Sequence, residues 1–222
     1  MEPKTESEKA YRYIRNDIIN GRLSPGEKLK MTMLKEMYKI GAAPLREALS
    51  RLASDRLAIQ SGQKGFVVSS ISATDAIDTG RVRLLLESEA LRDSLKHASD
   101  EWESRVVAAY HRLNLAEKRA DGLTETILEL ENWNRKFHEA LISNAQSTWL
   151  LEFRNQIYCH HERYRQLSRR SRTKSRDTTK EHHMMLEAAM SRDLKTLLEL
   201  TALHIDRTTE AAVAFLNSSV DQ

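Results

Sequence analysis

The sequence predicts a mainly α-helical protein with two domains. Residues 1–70 are expected to form a winged helix-turn-helix, and residues 71–222 an all-α antiparallel helical bundle. All three prolines and five of the seven glycines lie in the first 65 residues, so the remainder should be long helices. Segment 41–49 has the pattern of a turn that opens a short apolar helix. Two β-rich runs, 57–60 and 66–68, are joined by a glycine-bearing loop, which is typical of a hairpin.

The first three helices are predicted from apolar periodicity and from capping residues. Helix one should run from Ser7, as its N-cap, to about residue 20. A second helix should follow Thr32, its predicted cap, and continue to about residue 39. Gly41 is expected to make the turn, and the third helix should run from Pro44 to about residue 55. The hairpin then closes the domain near residue 70.

Six further helices are expected beyond a short serine-rich linker at residues 69–72. Their apolar residues follow the helical period, and Asp193 resembles the N-cap of the last helix. The basic stretch 163–176 is interpreted as the solvated end of a helix and its loop, with a second DNA contact as the less favoured alternative. The predicted spans are 73–97, 100–119, 122–144, 146–168, 178–191 and 193–217.

Composition excludes several classes of protein. The chain is 40% apolar and 30% charged, as globular proteins are. No apolar run approaches the roughly 20 residues of a membrane span, and the N-terminus lacks the apolar core of a signal peptide. The lone cysteine, Cys159, excludes an intramolecular disulfide and fits a reducing compartment. We therefore expect a soluble cytoplasmic protein.

Charge and motif together indicate binding to a polyanion. Residues 1–70 carry 13 Lys and Arg against 8 Asp and Glu, whereas the rest of the chain carries 22 against 24. A helix that follows a tight turn and precedes a basic-tipped hairpin is the layout of a winged helix-turn-helix. That layout presents one helix to the major groove of duplex DNA and its wing to a neighbouring groove. The sequence thus favours DNA binding over catalysis.

Arg46 is the leading candidate for a base contact, because its guanidinium can pair with guanine O6 and N7 from the third helix. A phosphate contact, or pairing with Glu36 or Glu47, is the alternative. At the predicted wing tip, Lys64 and Gly65 would let a cation approach phosphate or a minor groove. Further candidates for phosphate contacts, each of which could also be an ordinary surface residue, are Thr32, Lys35 and Arg51.

Three of the eight histidines are predicted to point inward from three different helices. His138 continues an apolar helix face, His182 shares a face with Met185, and His204 lies on a stripe with Leu197. An inward histidine is usually a hydrogen-bonded core residue. Three of them could instead share a zinc or nickel ion, for which neutral imidazole is a common ligand. Spacing alone leaves both interpretations open, since no His-x-x-x-His pair fixes a site.

Three segments of the first domain carry a family resemblance. They are 19–29 (Ile-Asn-Gly-Arg-Leu-Ser-Pro-Gly-Glu-Lys-Leu), 44–49 (Pro-Leu-Arg-Glu-Ala-Leu) and 65–68 (Gly-Phe-Val-Val). These segments resemble the GntR family of bacterial transcription regulators, and within it the branch of carbon-starvation-induced regulators. The family commonly has Ser-Arg-Thr before the proline, where this chain has Gly-Ala-Ala. The resemblance therefore implies that Ala43 and Pro44 lie at the DNA without a usual DNA-reading arginine, and that operator preference differs.

A second resemblance lies in the helical part. Four features carry it: Asn134 four residues before His138, a Glu-His pair at 181–182, a late His204, and an Arg-x-x-x-Glu at 83–87. Together these features resemble the FCD (FadR C-terminal) subfamily. The resemblance implies a divalent metal, zinc or nickel, whose coordination a small carboxylic acid completes. Asn134 stands where an aspartate is common, which implies a weaker ligand or a water there. The implied metal ligands are Asn134, His138, His182 and His204.

Arginines are the candidate partners of the acid. Arg83 could clamp a carboxylate by a bidentate charge-assisted pair, although an ion pair with Glu87 one turn away is an equal alternative. Arg163 and Arg165 are weaker candidates for the same contact.

These expectations combine into a homodimeric, ligand-responsive transcriptional repressor that is not an enzyme. A two-fold dimer would present two recognition helices to a pseudo-palindromic operator. The resemblance implies a catabolic operon and an acid metabolite as the effector. The alternatives are a metal-dependent hydrolase or hydratase, for which the sequence offers no nucleophile motif and no phosphate-binding glycine loop, and a direct metal sensor.

Overall fold

A computed structural model describes residues 5–62, 65–170 and 176–218. Within these ranges the chain is mainly helical, with one two-stranded antiparallel sheet near the N-terminus. The expected fold class, mainly α with an N-terminal winged helix-turn-helix, is confirmed. Among the described helices, none combines the length and apolarity that crossing a membrane requires.

The first unit consists of three helices and a hairpin. Its buried apolar side chains, among them Ile14, Leu34, Leu45 and Leu49, form one continuous cluster. The hairpin is fixed by antiparallel pairing of Ile59 with Val67. The elements are α1 (Glu6–Ile19), α2 (Met31–Tyr38), α3 (Ala42–Ser54), β1 (Ala58–Ser61) and β2 (Gly65–Val68).

Two capping predictions in this unit are wrong, and Gly41 lies in the predicted turn. Helix α1 is capped by Thr5, whose hydroxyl accepts a hydrogen bond from the Glu8 N–H at 3.1 Å, and Ser7 lies buried inside the helix. Thr32 is the second residue of α2 and not its cap. The left-handed residue after α2 is Lys39, at φ 56°, whereas Gly41 is the extended N-cap of α3. Helix α3 therefore begins two residues earlier than predicted.

The second unit contains the six predicted helices, each bounded within three residues of its expected ends. Asp193 caps the last of them, since its Oδ1 accepts a hydrogen bond from the Thr196 N–H at 3.0 Å. The helices are α4 (Ala73–Lys96), α5 (Asp100–Arg119), α6 (Thr124–Leu141), α7 (Thr148–Arg170), α8 (Thr178–Met190) and α9 (Leu194–Ser218).

The two largest apolar clusters of the described residues are separate, one within residues 10–68 and a larger one within residues 90–197. Helix α7 joins them. His160 hydrogen-bonds the Asp55 carbonyl at 2.8 Å, and Arg163 donates to the Ser69 carbonyl. The division at residue 70 stays a prediction, which the separate clusters support.

The basic stretch 163–176 is not simply solvated, contrary to the sequence interpretation. Arg163 and Arg165 are 6% and 5% exposed, and Arg165 pairs with Glu131 and Glu162. Arg176 donates two hydrogen bonds to Glu181, at 3.0 and 2.8 Å. Residues 171–175 lie outside the described part of the chain. The charges are tolerated in the interior because Arg165 and Arg176 pair with carboxylates and Arg163 donates to a backbone carbonyl.

Candidate functional site

The helix-turn-helix presents most of its predicted DNA contacts to solvent. Arg46 is the fifth residue of α3 and is exposed. It forms no ion pair with Glu36, Glu47 or any other described residue, so the predicted intramolecular alternative is not realised. Thr32, Lys35 and Ala43 are also exposed. This surface therefore offers a free guanidinium and small side chains to an approaching duplex.

Other predicted contacts are more constrained. The Arg51 guanidinium lies 4.3 Å from the centre of the Tyr11 ring, which holds this side chain against α1. Pro44 lies in the first turn of α3 and is partly buried. A Cβ on Gly65 would lie 2.7 Å from the Ser61 carbonyl oxygen, so the hairpin requires glycine here. Lys64 lies outside the described residues.

Three helices of the second unit bring three histidines together. His138 of α6, His182 of α8 and His204 of α9 are 1%, 2% and 4% exposed. Each offers a ring nitrogen, and the three nitrogens lie within 4.8 Å of one another. The ring centroids are 5.0 to 5.7 Å apart. The inward orientation predicted from helical phase agrees with this arrangement.

Carboxylates orient two of these rings. Nδ1 of His182 bonds Glu117 Oε1, and Nδ1 of His204 bonds Glu181 Oε2, each at 2.8 Å. A carboxylate on Nδ1 fixes the tautomer in which Nε2 carries the free lone pair. Burial lowers the pKa of His204 to about 3, although the bond to Glu181 acts in the opposite direction. Burial would raise the pKa of Glu181, but hydrogen bonds from His204 and Arg176 hold it well below its usual range.

His138 lacks any polar partner among the described residues. Both of its ring nitrogens are buried without a hydrogen bond, and so is Nε2 of His182. Burial, followed by the neighbouring His204, holds the pKa of His138 well below its ordinary value, so its imidazole is neutral. Burying an unpaired polar group costs several kcal/mol, roughly 2–7. A divalent ion at the three nitrogens would give a partner to one nitrogen of His138 and to Nε2 of His182, and the residues present therefore fit a metal.

Asn134 lies beside the histidines. Its Nδ2 is 3.3 Å from the Tyr158 hydroxyl, and its side chain lines a cavity of about 20 Å³ together with His182 and His204. This space accommodates about one water molecule. A role for Asn134 as a ligand stays a prediction.

The predicted effector arginines are placed differently from one another. Arg83 is buried, with Nη1 2.8 Å from His161 Nδ1 and Nε 3.7 Å from Glu87. Arg163 is held by the linker carbonyl of Ser69 and does not line the cavity at the histidines. Arg165 does line that cavity, and its Nε and Nη1 are buried without a hydrogen-bond partner among the described residues. The structure thus favours Arg165 over Arg163 for contact with an acid.

Sequence reasoning missed a buried polar stripe on α7. Arg154 binds Glu87 with two hydrogen bonds, at 2.9 and 2.7 Å, and shares this carboxylate with Arg83. Tyr158, His161 and Arg165 continue the same face and are also buried. Their spacing of four, three and four residues is the helical period, a signal that a search for polar as well as apolar periodicity would have found.

Comparison with known proteins assigns both parts of the chain. The description "Bacterial regulatory proteins, gntR family" matches residues 6–68, and the FCD domain matches residues 78–207. The chain is 36% identical over 211 residues to the HTH-type transcriptional regulator BphR of Paraburkholderia xenovorans, covering 94% of this chain and 85% of BphR. It is 33% identical over 199 residues to the HTH-type transcriptional repressor GlaR of Escherichia coli, covering 88% of this chain and 90% of GlaR.

Solved structures show the same fold. E. coli McbR/YncC superposes with a TM-score of 0.79 over 98% of this chain and 100% of its own, at 19% identity. A GntR-type transcriptional regulator from Rhodococcus sp. RHA1 gives 0.75 over 94% of this chain and 97% of its own, also at 19% identity.

Proposed function

Because the chain belongs to the GntR family of bacterial regulatory proteins and carries an FCD domain, and is therefore a transcriptional regulator, we propose that it is a homodimeric repressor of a catabolic operon. A small carboxylic acid, bound at a metal in the second unit, releases it from its operator. The observation that carries the proposal is the cluster of His138, His182 and His204, in which both nitrogens of His138 and Nε2 of His182 are buried without a hydrogen-bond partner. The similarity of the chain to a named repressor, GlaR, supports repression over activation.

The metal would be held by the three histidines, with Asn134 as the candidate fourth side chain. Imidazole nitrogens suit zinc and nickel. Such an ion supplies positive charge and open positions to which a carboxylate oxygen can bind. Glu117 and Glu181 keep two imidazoles oriented, and Arg165 or Arg83 would pair with the rest of the acid.

The size of the site supports coupling between effector and DNA. A carboxylic acid is larger than the cavity of about 20 Å³ beside the histidines. Its binding therefore requires the lining side chains to move, and the ligand then has different affinities for the closed and enlarged states. Only such a difference in affinity can shift a conformational equilibrium.

Gel-shift titration with the promoter next to the gene tests the proposal. Candidate acids are added to the protein as purified and to protein treated with a chelator. We expect release of DNA by an acid only when the metal is retained. Turnover of an acid without any DNA binding would contradict the proposal and favour an enzyme.

The second candidate is a direct metal sensor, which the small cavity favours because a bare ion needs no enlargement. In that case addition or removal of the metal alone changes DNA affinity, and acids have no effect in the same titration.

A further inference from the structure

Helix α4 carries an exposed stripe along its whole length. At 100° per residue its members all lie within about 40° of the direction of Leu85. The opposite side of the helix is buried and carries Arg83 and Glu87. Leu85 itself is 65% exposed at the middle of the stripe. The members are Thr74, Asp78, Arg81, Leu85, Glu89, Arg92 and Lys96, all exposed.

The four charged residues nearest Leu85 have no ion-pair partner among the residues that the structure describes. Arg81 and Glu89 lie two helical turns apart, and Asp78 and Arg92 lie farther out on the same side. Elsewhere in this unit, arginines such as Arg154 and Arg165 are paired with carboxylates from other helices. The stripe is therefore an apolar centre flanked by unpaired charges of both signs.

The charges are arranged symmetrically about Leu85 with opposite sign. Four residues before it stands Arg81, and four residues after it stands Glu89. Seven residues before it stands Asp78, and seven after it Arg92. When two copies of α4 pack antiparallel about a two-fold axis at Leu85, each arginine faces a carboxylate of the other copy. The contacts lie about 6 and 10 Å from the axis, at 1.5 Å per residue. Such self-complementarity is what an isologous interface requires.

We propose that this α4 stripe is the two-fold interface of the homodimer, with the second copy of the chain as its partner. The proposal rests on the dimer of the proposed function but needs neither the metal nor the acid. Each dimer would contain two Arg81–Glu89 pairs and two Asp78–Arg92 pairs around a central contact between the two Leu85 side chains. An apolar centre within a charged rim is the usual anatomy of a protein interface.

A neighbouring apolar surface would extend the contact. Trp149 and Phe153 at the start of α7 are 66% and 51% exposed, with ring centroids 5.9 Å apart. They lie beside the C-terminal half of α4, because Asp93 of that half accepts a hydrogen bond from the Gln146 N–H and Glu87 binds Arg154.

Charge reversal tests the interface by sedimentation equilibrium. Arg81→Glu and Glu89→Arg each convert two attractive pairs of the dimer into repulsive ones. We expect the dimer dissociation constant to rise at least about tenfold for either single variant. The double variant Arg81→Glu/Glu89→Arg should dimerise as the wild type does, because the exchanged charges again face opposite partners. Glu199→Arg, an exposed reversal on α9, is the matched control and should leave the constant unchanged.

Mixing the two single variants tests the proposed pairing of Arg81 with Glu89 more sharply. An Arg81→Glu chain and a Glu89→Arg chain are complementary to each other at both symmetry-related contacts, so native mass spectrometry of the mixture should show mainly the heterodimer. Circular dichroism checks that each variant is folded. A monomeric wild type, single variants that dimerise normally, or a dimer lost only in Trp149→Ala/Phe153→Ala would overturn the α4 interface. Operator binding, measured separately by gel shift, decides the proposed function.

Discussion

At the scale of single residues, the histidine cluster combines features that each have a simple cause. Burial lowers the pKa of His138 and of His204, and Glu117 and Glu181 orient the rings of His182 and His204. The unpaired nitrogens of His138 are the feature that a core role does not explain. Sequence reasoning found all three histidines because helical phase decides which residues point inward. It could not find the two orienting roles, since Glu117 lies 65 positions from His182.

The first prediction concerns these proposed metal ligands. His182→Ala should abolish stoichiometric metal binding, because one of three imidazoles is lost. Glu117→Gln should lower metal affinity about 10–100-fold, since it only weakens the orientation and basicity of His182. Elemental analysis and a competitive chelator titration measure both. Full metal content in His182→Ala would remove this residue from the site.

A second prediction at this scale concerns Arg46. Arg46→Ala should weaken operator binding by about 1–3 kcal/mol if the guanidinium reads a base. Because Arg46 is exposed and without an internal partner, the folded domain should keep its stability. Binding to the operator and to random DNA of equal length is compared at one salt concentration. An equal loss on both would make Arg46 a phosphate contact.

At the scale of elements, α7 illustrates what the sequence could and could not predict. Its span was predicted to within two residues, because its length and lack of glycine and proline permit little else. Its basic end was interpreted as solvated, since charge is normally a surface property. Whether Arg165 finds Glu131 of α6 depends on how the helices pack, and no local pattern encodes that. The boundary errors around α2 have a similar origin, because Lys39, which is not a glycine, adopts the left-handed conformation that ends this helix.

The third prediction concerns the contact between α4 and α7. Burial would raise the pKa of Glu87, but Arg154 and Arg83 lower it below its ordinary value of 4.5. A depressed pKa contributes stability that is present above the unfolded pKa and is lost as pH falls through the folded value. The wild type should therefore lose stability on acidification below about pH 4.5.

The Glu87→Gln variant tests whether Glu87 causes this loss of stability at acid pH. The variant leaves Arg154 buried without its carboxylate and should be less stable at neutral pH by about 3–5 kcal/mol. Its stability should change less than that of the wild type on acidification. Urea unfolding at several pH values from neutral downward measures both effects. Parallel pH profiles for the two proteins would show that Glu87 is not the titrating group.

At the scale of the whole molecule, α4 and α7 connect three surfaces. The buried side of α4 carries Arg83 and Glu87, and its exposed side carries the proposed dimer stripe. Helix α7 contacts α4 on one side and the DNA-binding unit on another, through His160 and Arg163. Arg165 of α7 lines the cavity at the histidines, so enlargement of this cavity would act on a helix that also contacts the DNA-binding unit. Under the proposed function, this arrangement would supply a physical route from the acid to the operator without requiring the metal to lie near DNA.

The last prediction follows from thermodynamic linkage between the two sites. If the acid lowers operator affinity by some factor, operator DNA must lower acid affinity by the same factor, because both paths connect the same states. Typical couplings are about 5–150-fold. Isothermal titration of the acid into free protein and into the protein–operator complex gives one factor, and fluorescence anisotropy of labelled operator with and without saturating acid gives the other. Arg163→Lys, which alters the contact with Ser69 at the junction, should reduce both factors together. A coupling that persists unchanged in this variant would place the route between the sites outside the α7 junction.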